Sequence, residues 1–321
     1  MALSAMVGHE LRSRSRERSF AYVAVAFVVA CAAVVVTMYR AATGARRGSG
    51  TSSLLSASVG RLVAHVLLVL VLIAMCVVVP WLAARTVAGE RETGELLALQ
   101  IGPSRPLTIA VAKTGTVFAQ FLVLFFVAVP FLTFAHLLGG VTPRELLRGT
   151  AMILAFALAL SAWCVALASY TQRASTATIA GYGVVAVLVL GTVLAFAIQG
   201  AVRRTGKTER LNHAVLFANP FVATADAVAG RSGGDERFPS PFTPFLAMMG
   251  DRITIIDQIR LIDDSGAFFR NQGGGRIPRR RHVRVWKQSM WVTAVLTLSG
   301  LAVATRGLRL PKRIRFGWSA P

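Results

Sequence analysis

Charge is scarce in this chain, and acid is scarcer than base. Only 15% of its 321 residues are Asp, Glu, Lys or Arg, against 55% hydrophobic, and mean hydropathy is +0.60. A soluble domain of this size has too little interior to hide that much apolar surface, so the solvent for most of the chain is a bilayer. Acidic residues number 14 against 35 Lys and Arg, for a formal charge of +21. Such an excess suits nucleic acid when it covers a soluble face. Here it lies between greasy runs, which argues against nucleic-acid binding. Cysteine is nearly absent. Cys31, Cys76 and Cys164 all fall inside apolar runs, which argues against a disulfide framework and leaves the compartment unread. No Ser/His/Asp or Cys/His arrangement of the kind a covalent catalyst needs is evident. The sequence therefore predicts no catalytic residue, no metal ligand and no bound cofactor.

What is present is a set of long apolar runs. A membrane helix takes about 20 mostly apolar residues. Six uncharged runs qualify: Ser19–Met38, Leu62–Ala84, Thr114–Val141, Thr150–Gln172, Ala174–Val202 and Gln288–Thr305. Backbone groups in lipid must pair within their own segment, so these runs are expected as helices despite their valine content. The expected class is an all-α integral membrane protein with six transmembrane helices in a single domain, 1–321. Pro80 and Pro130 are expected to kink or end their helices. None of the six runs carries an Asp, Glu, Lys or Arg in its core, where ion-coupled carriers keep theirs, and His65 and His136 sit near span ends as neutral or interfacial side chains. Any uphill work by this chain thus draws its energy from outside the bilayer.

Three motif matches are weaker than they look. Ala201–Thr208 reads AVRRTGKT, a permissive phosphate-loop pattern, but an apolar span precedes it and no α/β domain surrounds it. Gly181, Gly183 and Ala186 form a glycine pattern inside a span, where close helix packing is the plain explanation. Asp257, Asp263 and Asp264 lie on an amphipathic stretch, where ion pairs account for them better than a metal does.

Charge placement suggests orientation. With the N-terminus inside, the inner segments carry 14 Lys and Arg and the short outer loops 6, as the positive-inside rule requires. The long segment 203–287 adds 15 on the outer side and conflicts with that count, although loops above about 60 residues largely escape the rule. Residues 2–18 read either as an interfacial helix feeding the first span or as a plain basic anchor. Between the second and third spans, Arg85–Pro106 is short and helix-prone. Glu90, Arg91, Glu92 and Glu95 form an acidic patch around Gly94, Pro103 closes the segment, and Lys113 stands at the mouth of the next span. Such a segment is suited to dock on a cytoplasmic partner, a push on which would move both flanking helices. A solvated loop with helix-supporting charges is the plainer account.

Glu90, Arg91, Glu92, Gly94, Leu96, Pro103 and Lys113 resemble in spacing the signature of the type-2 ABC transporter permeases. The chain departs from that signature in having Glu95 where the family has Thr, and in one residue fewer before Ser104-Arg105. The N-terminal segment, the six spans, Asn219-Pro220 in the outer segment and the terminal Leu308–Pro311 are also similar to that family. The resemblance implies a cytoplasmic coupling helix at 85–106, an extracellular loop at 203–287 and an N-terminal interfacial helix at 1–18. It implies contact of Glu90, Arg91, Glu92, Gly94 and Glu95 with a separate nucleotide-binding ATPase subunit, which would hold the ATP and Mg. It further implies a second permease copy or paralogue, membrane lipid as surroundings, both termini cytoplasmic in a bacterial inner (plasma) membrane, and export as the direction. Two other readings stay open on the residues alone: a membrane enzyme acting on lipid-linked substrates, and a non-transporting scaffold or sensor.

Overall fold

The computed structural model describes residues 18–45, 52–96, 101, 105–203, 213–228, 241–242 and 285–309. Residues 1–17, Pro103, most of the phosphate-loop look-alike, Asp257, Asp263, Asp264 and Leu310–Pro311 lie outside them, as do the readings attached to those residues. Among the described residues every regular element is helical, and six helices are long and apolar enough to cross a membrane. Helices throughout the described residues and six of spanning length agree with the all-α, six-span reading of the sequence.

Helix α1 is Arg18–Ala45. Helix α2 is Ser52–Ala84, and it does not stop there: a π turn at Arg85–Gly89 leads straight into a last helical turn, Glu90–Thr93. Helix α3 is Pro106–Leu137 and α4 is Pro143–Ala168. Helix α5 comprises Ala174–Ala186, a π turn at Val187–Gly191 and Thr192–Arg203. A 3-10 turn, His213–Ala218, precedes the short helix α6, Pro220–Val228. Helix α7, Val285–Gly307, is the sixth span. The chain order puts Arg18, 85–96, 105–106, 169–174 and 307–309 at one end of the bundle, here the acidic end. The end of α1 at Ala45, the start of α2 at Ser52, the turn at 138–143 and the α6 region lie toward the opposite end.

Several boundaries differ from those the apolar runs suggest, for local reasons. Helix α3 begins at Pro106, well before Thr114, because proline suits the first helical position and Arg105 takes the extended cap conformation. Lys113 is therefore inside the helix and not at its mouth. Helix α4 begins at Pro143, because Thr142 and Glu145 form a reciprocal capping box: Glu145 N donates to Thr142 Oγ1 and Thr142 N donates to Glu145 Oε2. Pro80 and Pro130 lie within α2 and α3, and neither ends its helix. Segment 85–106 begins as a continuation of α2 and not as a separate element. Part of the segment expected wholly outside the bilayer, 213–228, packs back against the helices.

Helices α2 and α4 form the centre: most of each span is buried, against 11% of the α5 span. Small residues set the close approaches. A side-chain carbon at Gly300 of α7 would stand 3.0 Å from the Ala162 backbone of α4, and one at Gly181 of α5 would stand 2.8 Å from Pro80 of α2. Helices in lipid associate through such contacts because no hydrophobic force distinguishes a neighbour from a lipid tail.

Candidate functional site

The acidic end holds Glu90, Arg91, Glu92, Glu95 and Lys113, and it uses four of them internally. The π turn after Ala84 widens α2 by one residue and turns the Glu90–Thr93 face toward its neighbours. Thr86 Oγ1 donates to Leu82 O at 2.6 Å, pinning the entry to that turn. Arg85 lies 5.0 Å over the Trp81 ring and donates to Ser19 Oγ of α1 at 2.9 Å.

Glu90 is 7% exposed, and it meets Lys113 of α3, which is fully buried. Nζ stands 2.7 Å from Oε1 and 2.6 Å from Oε2, so both carboxylate oxygens face one ammonium. The pair places opposite charges within the bundle where neither could stand alone. Arg91 reaches the C-terminal end of α4. Its guanidinium donates to Ser169 O at 2.8 Å and Thr171 O at 2.7 Å, carbonyls at or beyond the last turn, where a cation is electrostatically favoured. Glu92 reaches the first residue of α5: Oε1 accepts from Ala174 N at 2.8 Å, where a carboxylate suits the free N–H groups of a helix start.

Three consecutive side chains of α2 thus engage three other helices, each with the charge its target calls for. Gly94 ends the turn with φ +83, the left-handed conformation that glycine adopts without strain, and its N–H donates to Arg91 O. Glu92, Thr93, Gly94 and Glu95 are exposed, and Leu96 behind them is buried. Glu92 is thus both exposed and engaged, while Glu95 stands in the exposed strip. Tyr170 OH donates to Val303 O of α7, so the same corner also reaches the sixth span.

Of the five residues singled out for an external contact, Glu90 and Arg91 are directed inward, and Glu92, Gly94 and Glu95 face outward. Sequence reasoning missed Ser169 and Thr171, whose contribution is backbone carbonyls. It also missed the Glu90–Lys113 pairing, although a lone lysine in an apolar helix calls for an acid partner. Among the described residues no group of three or more His, Cys, Asp or Glu could hold a metal ion.

Toward the opposite end, α6 is held by two short polar residues. Asn219 caps it: Oδ1 accepts from Phe221 N at 2.9 Å and Val222 N at 3.3 Å, and Pro220 takes the first helical position. The Asn219 amide also enters the π turn of α5, donating to Val189 O at 3.1 Å and Thr192 Oγ1 at 2.8 Å. Asp226 Oδ2 accepts from Trp286 N at 2.8 Å and so caps α7. Every residue of α6 except Phe221 is buried.

No protein-family model matches the chain, and no curated protein matches it.

Proposed function

We propose that this chain is the membrane permease subunit of an ABC-type exporter, driven by a separate cytoplasmic nucleotide-binding ATPase that holds the ATP and Mg. The observation that carries the reading is the Glu90-Arg91-Glu92 sequence, whose side chains tie α2 to α3, α4 and α5 while Thr93–Glu95 is presented to solvent. A partner pressing on that exposed strip would move the ends of four helices as one body. On this reading the acidic end and both termini face the cytoplasm of a bacterial cell, the membrane is the inner one, and a second permease copy or paralogue completes the pathway. The cargo is amphipathic or hydrophobic, in keeping with spans lined by Val, Leu, Ala and Phe. The docking surface is narrower than the sequence suggests: Glu92, Thr93, Gly94 and Glu95 form it, and Glu90 and Arg91 support it from behind.

The test uses Glu95→Cys in a chain whose other cysteines are replaced. A membrane-impermeant maleimide should label it in inverted vesicles and not in intact cells. Crosslinking from the same position should capture an ATP-hydrolysing subunit, and Glu95→Lys should abolish ATP-driven efflux while leaving insertion intact. Labelling in intact cells would refute the proposal, because the acidic end would then face away from any source of ATP.

A further inference from the structure

The π turn in α5 needs an explanation. A π turn is an α-helix with one extra residue taken up in a wide turn. It is rare, and it recurs where function requires it. In α5 it lies midway along the span, at Val187–Gly191, and it is the place where Asn219 enters. Val189 O, within the π turn, accepts from the Asn219 amide. Thr192 Oγ1 accepts from the same amide while donating to Leu188 O at 2.8 Å. The amide thus binds both sides of the distortion, and the carbonyl of the same side chain caps α6.

We propose that α5 is a two-state helix and that Asn219 is the clamp that selects its π form, so that α6 and the outer half of α5 move as one unit. Three further observations point the same way. The relaxed α form is the default for any helix, so the π form exists only while something holds it. Relaxation would absorb the extra residue and rotate everything beyond Thr192 by about 100°. That rotation meets little resistance: α5 is the least buried span, and Val193–Ile198 reads VLAFAI, apolar on every side. Finally, Gln199 Oε1, beyond the turn, is buried with no hydrogen-bond partner, so no polar contact of that oxygen opposes the rotation.

Helix α5 is then held at two points by different elements. Its first residue is tied to Glu92 in the acidic segment, and its middle is tied to Asn219. Displacement at the acidic end would reach α6 through this helix. That last link rests on the permease reading, whereas the clamp itself does not.

The experiment uses the full chain in phosphatidylcholine vesicles, with Cys31, Cys76 and Cys164 replaced by Ala and one nitroxide label at Leu194, Ile198 or Ile179. All three positions face outward in the clamped form. Ile179 precedes the π turn and serves as the reference. Asn219→Asp keeps the oxygen that caps α6 and removes the amide donor, so α6 is retained. Labels at 194 and 198 should lose their collision accessibility to oxygen in the Asn219→Asp and Asn219→Ala variants, while the label at 179 keeps it. Deleting Leu190 removes the extra residue, and in that background Asn219→Ala should no longer change the labels. Unchanged accessibility at 194 and 198 in both Asn219 variants overturns the clamp, and so does an equal loss at 179. No ATPase or ATP is present, so this result is independent of whether the chain is a permease.

Discussion

Replacing Lys113 by Met leaves Glu90 with no countercharge from α3 in a site that is 93% shielded, since the Glu90 side is 7% exposed and Lys113 is not exposed at all. Two unit charges about 4 Å apart attract by about 4 kcal/mol at an effective dielectric near 20. Removing one partner of a buried pair costs about 3–5 kcal/mol, mostly the penalty of the charge left behind. At roughly 2–4 °C per kcal/mol, the midpoint of thermal unfolding should fall by about 6–20 °C. The chain carries its own reporter. Cys31 and Cys164 are 0% and 2% exposed, so a thiol-reactive fluorogenic dye reacts with them as the bundle opens. The decisive comparison is the double variant Glu90→Gln with Lys113→Met. A neutral pair of similar volume often matches or exceeds a buried ion pair, so the double variant should recover most of the single variant's loss. If the losses of the two single variants simply add in the double, the residues do not interact and the buried pair is wrong.

Arg91→Ala should cost about 2–4 kcal/mol by the same assay, because it deletes two charge-assisted hydrogen bonds and leaves two carbonyls without them. Arg91→Lys should rescue less than half of that loss, since one ammonium cannot reproduce the two-pronged geometry, and full rescue would count against the fork. Glu92→Ala should destabilise the start of α5 by about 1 kcal/mol, read as faster amide exchange at Ala174–Ala177, with Glu92→Gln much milder. Gly300→Val should cost about 1–3 kcal/mol by forcing α7 away from Ala162, and a neutral result would mean that the helices do not touch there.

The sequence made the six spans and their helical nature legible, because apolar length alone decides both. It misplaced the starts of α3 and α4, because caps and not hydropathy set them: Pro106 begins one, and Thr142 with Glu145 begins the other. The Glu90–Arg91–Glu92 run stood out at once, yet its use did not. A carbonyl acceptor such as Ser169 O has no letter in the sequence, so Arg91 looked available for a partner outside the chain. The continuation of α2 to Thr93 was also hidden, because the uncharged run ends at Ala84 and the charges from Arg85 on read as a separate segment, while the π turn carries the helix through them. Asn219-Pro220 was visible only as a feature shared with the permease family. Its second bond, into α5, depends on a backbone distortion that Val187–Gly191 announces only weakly.

The polar groups at the two ends differ in kind, and the difference has a mechanical consequence. At the acidic end the ties are charged and largely buried: Glu90 to Lys113, and Arg91 to the end of α4. Opening the first leaves an uncompensated charge and costs several kcal/mol. Where Asn219 meets α5 the tie is a neutral amide, and neutral hydrogen bonds within membranes are worth about 0.6 kcal/mol each, at most about 1.7. The acidic end is therefore the stiff one and the Asn219 contact the yielding one. A displacement applied at Thr93–Glu95 passes through the charged ties with little internal change, and it is taken up where α5 can exchange a wide turn for a regular one. Strengthening the weak tie should then block the motion without touching the acidic segment, which makes the Asn219 amide, and not the Glu90 carboxylate, the place where this chain's range of movement is set.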